Sequence, residues 1–351
     1  MKILVINPGS TTTKVALFED LELLKEKKIN HSDKELAAYG SIRDQLPMRV
    51  SRVQEFLQEE GLAPSSLDVM VARGGMLPPV RHGAYIIDET MVKTLLDCPA
   101  EQHASNLGAG IAWQLARENQ TPAFIYDSVS VDELTPLARL SGVKGYDRRS
   151  FSHVLNTRAV AREIAAREGF NLEEVNVIVA HLGGGISLNL QSKGALIDIV
   201  SADEGPYSTE RAGGLSVFTS VRIVKKEGVD ALYGYEIGKG GLLSYTGSND
   251  AVAIEDRALD GHEYSRLLYE GIAYQTAKAI GGLATVVQGQ VRAIILTGGM
   301  ARSKLITEAV EASVGFIAPV YVYPGELEMG ALAAGGLRVM RGEEQAQVFQ
   351  P

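Results

Sequence analysis

Short apolar runs alternate with longer amphipathic segments along the whole chain, and this alternation predicts an α/β architecture. The runs predicted as strands are KILVI and TKVALF near the N-terminus, DVMVA at 68–72, AFIY at 123–126, NVIVA, ISLNL, ALIDIVS and RAIIL. The segments predicted as helices are EQHASNLGAGIAWQLARE, SHVLNTRAVAREIAARE with Ser152 as N-cap, EYSRLLYEGIAYQTAKAIGGLATVV and RSKLITEAVEASV. The mixed charges of the final RGEEQAQVFQP predict a solvated tail.

The length of 351 residues favours two lobes over one. A unit of strand, glycine turn and strand occurs twice, in KILVINPGSTTTKVALF and in NVIVAHLGGGISLNL. Such units are common in α/β proteins, so the repeat alone leaves open whether the two lobes are duplicates. We place the first lobe at 1–150, with the C-terminal stretch from about 334–351 returning to it, and the second lobe at 151–333.

Composition limits the classes of partner. The net charge of −9 argues against nucleic acid and anionic membranes as partners, because the average field repels phosphate polymers. The single cysteine, Cys98, excludes a disulfide framework and a four-cysteine zinc site within the chain, which favours a reducing compartment. No apolar run has the length of a transmembrane helix, and the run Ile3–Ile6 is too short for a signal-peptide core. We therefore expect a soluble, cytoplasmic protein.

Candidate chemistry lies at three glycine turns that follow apolar strands: NPGSTTTK, HLGGGIS and TGGMARS. Glycines let a backbone approach a ligand and point successive N–H groups into one concavity, which suits phosphate. Each turn is weak evidence singly, since most glycine-rich turns are only turns. None follows the Walker or dinucleotide pattern; the nearest approach, YGYEIGKGG around Lys239, lacks the first glycine and the final hydroxyl.

These motifs resemble the acetokinase family, a branch of the actin, hexokinase and Hsp70-like ATPases, and within it the butyrate kinases most closely. NPGSTTTK and HLGGGIS are similar to the two phosphate hairpins of the family, and TGGMARS is similar to its adenosine segment. HASNL, YDSVS, RRSFSH and STERAGG fall where the family keeps its catalytic segments. The resemblance implies a two-lobed actin-like (ribonuclease H-like) fold with duplicated domains and an active-site cleft between the lobes.

The resemblance also implies an activity, which is transfer of the ATP γ-phosphoryl group to a short-chain carboxylate. The implied cofactors are ATP and Mg²⁺, and the implied assembly is a homo-oligomer, a dimer or larger. A carboxylate is ionised at pH 7, so the nucleophile needs no general base and needs instead relief from anion repulsion. Arginine, histidine and Mg²⁺ around the γ-phosphoryl group supply that relief.

Carried over by motif, the resemblance assigns roles to individual residues. The implied catalytic residues are Arg211 and His153, with Arg73 as a third contact to the carboxylate or phosphoryl group. The implied ATP and phosphate contacts are Asn7, Gly9, Ser10, Thr11, Lys14, His181, Gly183, Gly184, Gly185, Thr297, Gly298, Gly299 and Arg302. The implied substrate contacts are Arg73, His103, Ala72 and Ser152, and the implied Mg²⁺ contacts are Asp127 and Glu326.

The sequence departs from the pattern of acetate kinases at several positions. Met70 stands where those enzymes have an arginine, and Arg73 stands in place of a histidine. Gly184 replaces an asparagine in the second hairpin. Ala72 and Ser152 replace a valine and a phenylalanine of the acetyl pocket, which predicts a roomier pocket for butyrate or branched acids, since each buried methylene contributes about 0.8 kcal/mol.

Plainer interpretations stand beside these roles. Asp127 after a strand has the character of a turn residue, and Glu326 before a helix complements the helix N-terminus. His31 and His262 are predicted to be surface residues. Two other functions remain open: a hydroxyl kinase of the same fold with Asp127 as base, and an ATP-switched binding protein of actin or Hsp70 type. Arg211 and His153 together favour the carboxylate kinase.

Overall fold

The structure, a computed structural model, describes residues 1–97 and 102–351, so Cys98 lies outside the described residues. The chain divides into two compact units. Unit 1 comprises Met1–Asp132 and Leu327–Pro351, and unit 2 comprises Glu133–Glu326. No helix in the described residues is both long and apolar enough to cross a membrane.

Strands and α-helices alternate through both units of the described chain. The strands are β1 (Lys2–Pro8), β2 (Thr12–Glu19), β3 (Glu22–Asn30), β4 (Val69–Arg73), β5 (Ala84–Ile86), β6 (Ala123–Tyr126), β7 (Asn176–Leu182), β8 (Ile186–Ser192), β9 (Ala195–Val200), β10 (Ala293–Gly298), β11 (Val320–Pro324) and β12 (Gln347–Val348). The α-helices are α1 (Asp33–Leu36), α2 (Leu46–Glu59), α3 (Glu89–Asp97), α4 (Leu107–Arg117), α5 (Pro136–Arg139), α6 (Val154–Glu168), α7 (Val217–Glu227), α8 (Val229–Gly234), α9 (Gly241–Thr246), α10 (Ala251–Leu259), α11 (Glu263–Val286), α12 (Lys304–Val314) and α13 (Glu328–Met340).

The two sheets repeat one topology. The strand order is β12-β5-β6-β4-β1-β2-β3 in unit 1 and β11-β10-β7-β8-β9 in unit 2. In each unit an antiparallel hairpin, β1–β2 or β7–β8, continues into a third antiparallel strand and is flanked on its other side by two parallel strands. The pairing of the second and third strands is irregular in both units, at Leu17/Phe18 and at Leu190/Gln191. The repeat recognised in the sequence is therefore a duplicated sheet.

The buried strands follow from their apolar composition. Ile3–Ile6 in β1 and Val177–Ala180 in β7 are fully enclosed, as expected for central strands covered on both faces. In unit 1, glycines let α13 approach the sheet closely. A Cβ on Gly335 would lie 2.4 Å from the ring of Tyr126, and one on Gly336 would lie 2.3 Å from Val71. The small residues of MGALAAGG thus set the distance between the helix and the sheet.

In unit 2, β7, β8 and β10 bury their apolar side chains against α11 and α12 in one continuous core. Residues 133–153, which precede α6, also belong to this unit, and this division differs from the sequence-based boundary near 150. Thr135 N–H donates to Ile197 O, and Arg148 contacts Asp198 and Ile199 O. No hydrophobic period marks this segment, so its position depends on these hydrogen bonds and on the packing of Leu134 and Ala138 against Ile199. The sequence-based return at 334 likewise falls within α13, which belongs wholly to unit 1.

Three local expectations were wrong. The N-cap of α6 is His153, not Ser152. The C-terminal segment is not a solvated tail, because β12 pairs with β5 and Phe349 is buried. His31 is not a surface residue: it is buried, and its Nε2 lies 2.8 Å from Thr13 Oγ1. The predicted strands, by contrast, are all present, and the predicted helices α4, α6, α11 and α12 begin or end within a few residues of their sequence signals.

Candidate functional site

The candidate residues gather at the carboxyl ends of the parallel strands in each unit, where open α/β sheets bind ligands. We call Asn7–Lys14, Arg73 and Glu328 the N-terminal cluster. We call His153, His181–Gly185, Arg211 and Thr297–Arg302 the C-terminal cluster. Asn7 and His181 occupy the same position in the repeat, because each is the sixth residue of a seven-residue first strand.

The N-terminal cluster begins with the turn between β1 and β2. Asn7 pairs with Lys14 in the hairpin register, and Gly9 N–H donates to Thr12 O at 2.8 Å. Ser10 and Thr11 are exposed at the tip of the turn. The turn therefore presents hydroxyl groups to a ligand while its base is held in the sheet.

A charged triad lies beside this turn. Glu328 at the first position of α13 forms an ion pair with Arg73, with 3.0 Å between Oε1 and Nη1, and accepts a hydrogen bond from Asn7 Nδ2 at 2.9 Å. Sequence reasoning chose Glu326 in this motif and missed Glu328. The available signal was that a carboxylate favours the first turn of a helix. That signal does not distinguish two glutamates so close together.

The other candidates of unit 1 lie in buried or structured positions. Asp127 is buried with a positive φ of 41°, and its Oδ1 accepts a hydrogen bond from Gly83 N–H at 2.8 Å. His103 is the N-cap of a 3₁₀ turn at 104–106, where its Nδ1 accepts from Ser105 N–H at 3.2 Å. Ala72 is fully buried, and its Cβ would lie 3.5 Å from a Cβ on Gly108 of α4. These contacts give Asp127 and His103 structural roles in their own turns.

In the C-terminal cluster, glycines make room for charged side chains around the second hairpin turn. A Cβ on Gly183 would lie 2.9 Å from His181 Nε2, and a Cβ on Gly185 would lie 3.1 Å from Arg211 Nε. Gly184 O accepts a hydrogen bond from the hydroxyl of Ser208, which also accepts one from Arg211 N–H at 3.2 Å. The turn thus brings His181 and Arg211 to one backbone concavity.

Two histidine rings stack beside this turn. The rings of His153 and His181 are 3.8 Å apart between centroids and inclined by only 10°. His153 Nδ1 lies 2.8 Å from Ser187 Oγ, and the Asn156 amide donates to His181 Nδ1 at 3.0 Å. Because Nδ1 of His181 accepts this bond, its Nε2 carries the hydrogen of the neutral ring. The structure therefore places a ring N–H donor next to the glycines of the turn.

TGGMARS, the implied adenosine segment, lies at the carboxyl end of β10. Thr297 is buried, and its hydroxyl donates to Gly325 O at 3.1 Å. Gly298 has a φ of 91°, and Gly299–Arg302 form a 3₁₀ turn that ends with Arg302 exposed. Glu326 Oε1 lies 3.6 Å from His181 Nε2. The implied metal ligand Glu326 thus belongs to the histidine pair in unit 2.

In unit 2, the buried polar atoms without a hydrogen-bond partner in the described residues include Ser152 Oγ, Arg211 Nε and Glu236 Oε2. Burial raises the pKa of the Glu236 carboxyl to about 7, and the nearby Asp203 adds to the increase while Arg211 opposes it. Glu236 was not predicted from the sequence. Its position in the irregular π-helix at 235–239 has no signature in the sequence pattern.

Among the described residues, no three His, Cys, Asp or Glu side chains form a group that could hold a metal ion. Mg²⁺ in phosphoryl-transfer sites keeps several waters and takes only one or two carboxylates besides the substrate phosphates. An ion that arrives with a nucleotide therefore does not need a preformed group of protein ligands.

Comparison of the sequence with known proteins shows the family of the chain. A sequence profile of the acetokinase family matches residues 136–318. Butyrate kinase 1 of Clostridium acetobutylicum is 42% identical over 357 residues, which cover 99% of this chain and 99% of that protein. The chain belongs to the acetokinase family.

Solved structures with lower identity show the same fold. A crystal structure of Porphyromonas gingivalis acetate kinase has a TM-score of 0.81 at 17% identity and covers 97% of this chain and 99% of its own. A propionate kinase of Francisella tularensis has a TM-score of 0.76 at 17% identity, with 95% and 98% covered. The expected two-lobed α/β fold with duplicated domains is confirmed for this member of the acetokinase family.

Proposed function

We propose that this protein transfers the γ-phosphoryl group of ATP to a short-chain carboxylate, butyrate or a branched analogue, to give an acyl phosphate and ADP. One observation of the structure carries the proposal: Arg211 and the stacked pair His153–His181 meet at the second glycine turn. The 42% identity to a butyrate kinase over the whole chain supports the same reaction. A hydroxyl kinase has no such support.

The proposed reaction does not require a proton to be removed from the substrate. An oxygen of the substrate carboxylate attacks the γ-phosphorus, the bond to the bridging oxygen of ADP breaks, and its electron pair remains on ADP. We propose that Arg211 stabilises the negative charge on the transferring phosphoryl group. The Nε2–H of His181 is a second donor for its oxygens, and His153 supports that ring by stacking. No base is needed, because the carboxylate is ionised at neutral pH.

The remaining substrate and nucleotide contacts are proposed on the same grounds of charge and position. Arg73 is proposed as the cation for the substrate carboxylate, and Glu328 holds its guanidinium in place. Asn7, Ser10, Thr11 and Lys14 are proposed as contacts to the terminal phosphates, with Thr297–Arg302 toward the adenosine. Mg²⁺ bound with ATP would neutralise phosphate charge, and Asp127, Glu326 and Glu328 are the carboxylates proposed for its waters.

The pocket for the acyl chain is proposed to include His103, Ala72 and Ser152. Small side chains at 72 and 152 leave more room than larger ones would, which favours butyrate over acetate. The cytoplasm is the proposed location, since ATP and an acyl acceptor are both available there.

We also propose a homo-oligomer. The helices α7 and α8 expose a band of apolar side chains on unit 2, with Phe218 81% exposed and Val217 74% exposed. Contiguous apolar surface of this kind marks an interaction site. Light scattering should show a dimer or larger species for the native chain and a smaller one for Phe218→Glu; an unchanged mass would exclude this face.

The decisive assay traps the acyl phosphate with hydroxylamine in the presence of ATP and Mg²⁺, across acids from formate to hexanoate and their branched isomers. We expect the largest kcat/KM with butyrate or a branched acid. No hydroxamate from any acid would refute the function, and a preference for acetate would refute the larger pocket.

A matched pair of variants tests the role of Arg211. Arg211→Ala should lower kcat by about 10²- to 10³-fold, as expected for removal of one charge-stabilising donor, while ATP still binds. Arg266→Ala removes an exposed arginine that pairs with Glu270 on α11, and its kcat should be unchanged. Equal kcat values for the two variants would remove Arg211 from the mechanism.

A further inference from the structure

The turn between β1 and β2 is held from within by an arginine that the proposed reaction does not use. Arg49 in α2 has no exposed surface. No carboxylate of the described residues forms an ion pair with it. A buried guanidinium is costly unless its donors are satisfied, so its position needs a physical reason.

The hydrogen bonds of Arg49 supply that reason. Its Nη1 donates to Gly9 O at 2.8 Å, to Thr12 O at 3.0 Å and to Thr13 Oγ1 at 3.1 Å. Its Nη2 donates to Ser10 O at 2.9 Å. The Gln45 side chain accepts from Nε at 3.2 Å and from Nη2 at 2.9 Å. The guanidinium therefore binds the carbonyls of the very turn proposed to hold the terminal phosphates.

A neighbouring residue continues the same pattern. His31 N–H donates to Thr11 O at 2.9 Å, and its ring bonds to the Thr13 hydroxyl that Arg49 also contacts. The carbonyls of Gly9, Ser10 and Thr11 are thus all drawn inward, two by Arg49 and one by His31. Partners that meet at the Thr13 hydroxyl thus hold three successive carbonyls.

The orientation of these carbonyls determines the orientation of the amides. In a planar trans peptide the C=O and the following N–H point in opposite directions. Carbonyls held by Arg49 and His31 therefore turn the N–H groups of Ser10, Thr11 and Thr12 outward. Successive outward amides form a concavity suited to an anion, and the positive charge of Arg49 behind them adds a favourable field.

We infer that Arg49 is a positioning residue that presets the β1–β2 turn for the phosphates of ATP. The inference rests on the proposed function only in taking the ligand to be a nucleotide. Arg49 does not touch the nucleotide: it acts through the backbone of Gly9, Ser10 and Thr12. Loss of Arg49 should weaken the binding of the phosphates and leave the binding of the adenosine unchanged.

The test compares two buried arginines. Arg49→Met and Arg158→Met both remove an enclosed guanidinium, but Arg158 donates to Gly194 O in the β8–β9 turn of unit 2. Titration calorimetry on the purified full chain measures the affinities for MgATP and for adenosine, and thermal unfolding measures stability. The hydroxamate assay supplies KM for ATP, KM for the acid and kcat.

We expect Arg49→Met to weaken MgATP binding by about 10- to 100-fold, as for the loss of a charge-assisted network, with adenosine affinity unchanged. KM for ATP should rise by a similar factor, while KM for the acid stays the same. Arg158→Met should lose stability without this shift in MgATP affinity. Arg49→Lys should recover part of the affinity, because an ammonium can still donate to one or two of the carbonyls.

Two results would overturn the inference: MgATP affinity of Arg49→Met equal to that of Arg158→Met, or parallel losses for MgATP and adenosine. If neither Arg49 variant folds, Thr13→Val keeps the guanidinium and removes the hydroxyl it shares with His31. A few-fold loss of MgATP affinity in Thr13→Val then supports the inference, and an unchanged affinity opposes it. If the native protein binds MgATP but forms no hydroxamate, the proposed reaction is refuted and the role of Arg49 in binding is not.

Discussion

A single added methyl group at Gly298 should destabilise unit 2 strongly. Gly298 ends β10 with φ 91° and ψ 176°, a region that essentially only glycine occupies. A Cβ there would lie 2.4 Å from Leu182 O and 2.8 Å from Leu182 N, both backbone atoms at the end of β7. Neither atom can swing aside, so the strand ends must separate by about 1 Å to reach normal contact distance.

The backbone strain costs about 1–3 kcal/mol, and forcing an extra carbon into packed structure costs about as much again. We therefore expect Gly298→Ala to lower the free energy of unfolding by about 4 kcal/mol. For a unit of this size each kcal/mol lowers Tm by roughly 2–4 °C, so the melting temperature should fall by roughly 8–16 °C. Thermal unfolding followed by circular dichroism measures this shift.

The adjacent glycine is the matched control. A Cβ on Gly299 would meet nothing within 4 Å, and its φ is not positive. Gly299→Ala should therefore change Tm by no more than about 2 °C, because only the entropy of the unfolded chain is altered. Equal melting temperatures for the two variants would refute the argument from backbone geometry.

Three further predictions concern charged groups. Glu328→Gln breaks the ion pair with Arg73 and should lower kcat/KM by about 10- to 100-fold, more than Glu326→Gln does; a larger loss for Glu326→Gln would favour the sequence-based choice. Burial lowers the pKa of His31 below 6.5, so the unfolded state binds the proton first and Tm should fall as the pH drops below about 6.5. His31→Gln should flatten that decline, and an unchanged slope would exclude His31 as its source. Burial raises the pKa of Glu236 from 4.5 to about 7, so the folded state binds the proton more tightly than the unfolded state does. The Tm of the native protein, relative to that of Glu236→Gln, should therefore fall as the pH rises from 4.5 to 7. Parallel plots of Tm against pH for the two proteins would contradict this.

Local patterns located much of the candidate site. The three glycine turns, with Asn7, His181 and Thr297 at their strands, lie at the carboxyl ends of parallel strands as motif and hydropathy together indicated. An apolar strand that ends at a glycine turn can be predicted from the sequence, because the burial of the strand and the geometry of the turn depend on only a few neighbouring residues. The roles of these residues in catalysis remain predictions.

Other members of the clusters had no local signal. Arg49 reaches carbonyls 37 to 40 residues away in the sequence, and no pattern around it distinguishes it from a surface arginine of an amphipathic helix. The choice between Glu326 and Glu328 depends on where α13 begins and which residue of its first turn faces Asn7 and Arg73. The C-terminal segment looked solvated because its pairing partner β5 lies far away in the sequence.

The sequence by itself determined the class of fold, the duplicated hairpins and the glycine turns, because each depends on short-range periodicity and on the steric freedom of glycine. Only the tertiary structure decided which polar groups stand behind those turns. The stacking of His153 on His181, the pairing of Arg73 with Glu328 and the enclosure of Arg49 join residues distant in sequence. Such contacts depend on the packing of whole elements, because a charged side chain is stable in a buried position only where all of its hydrogen-bond partners are close to it.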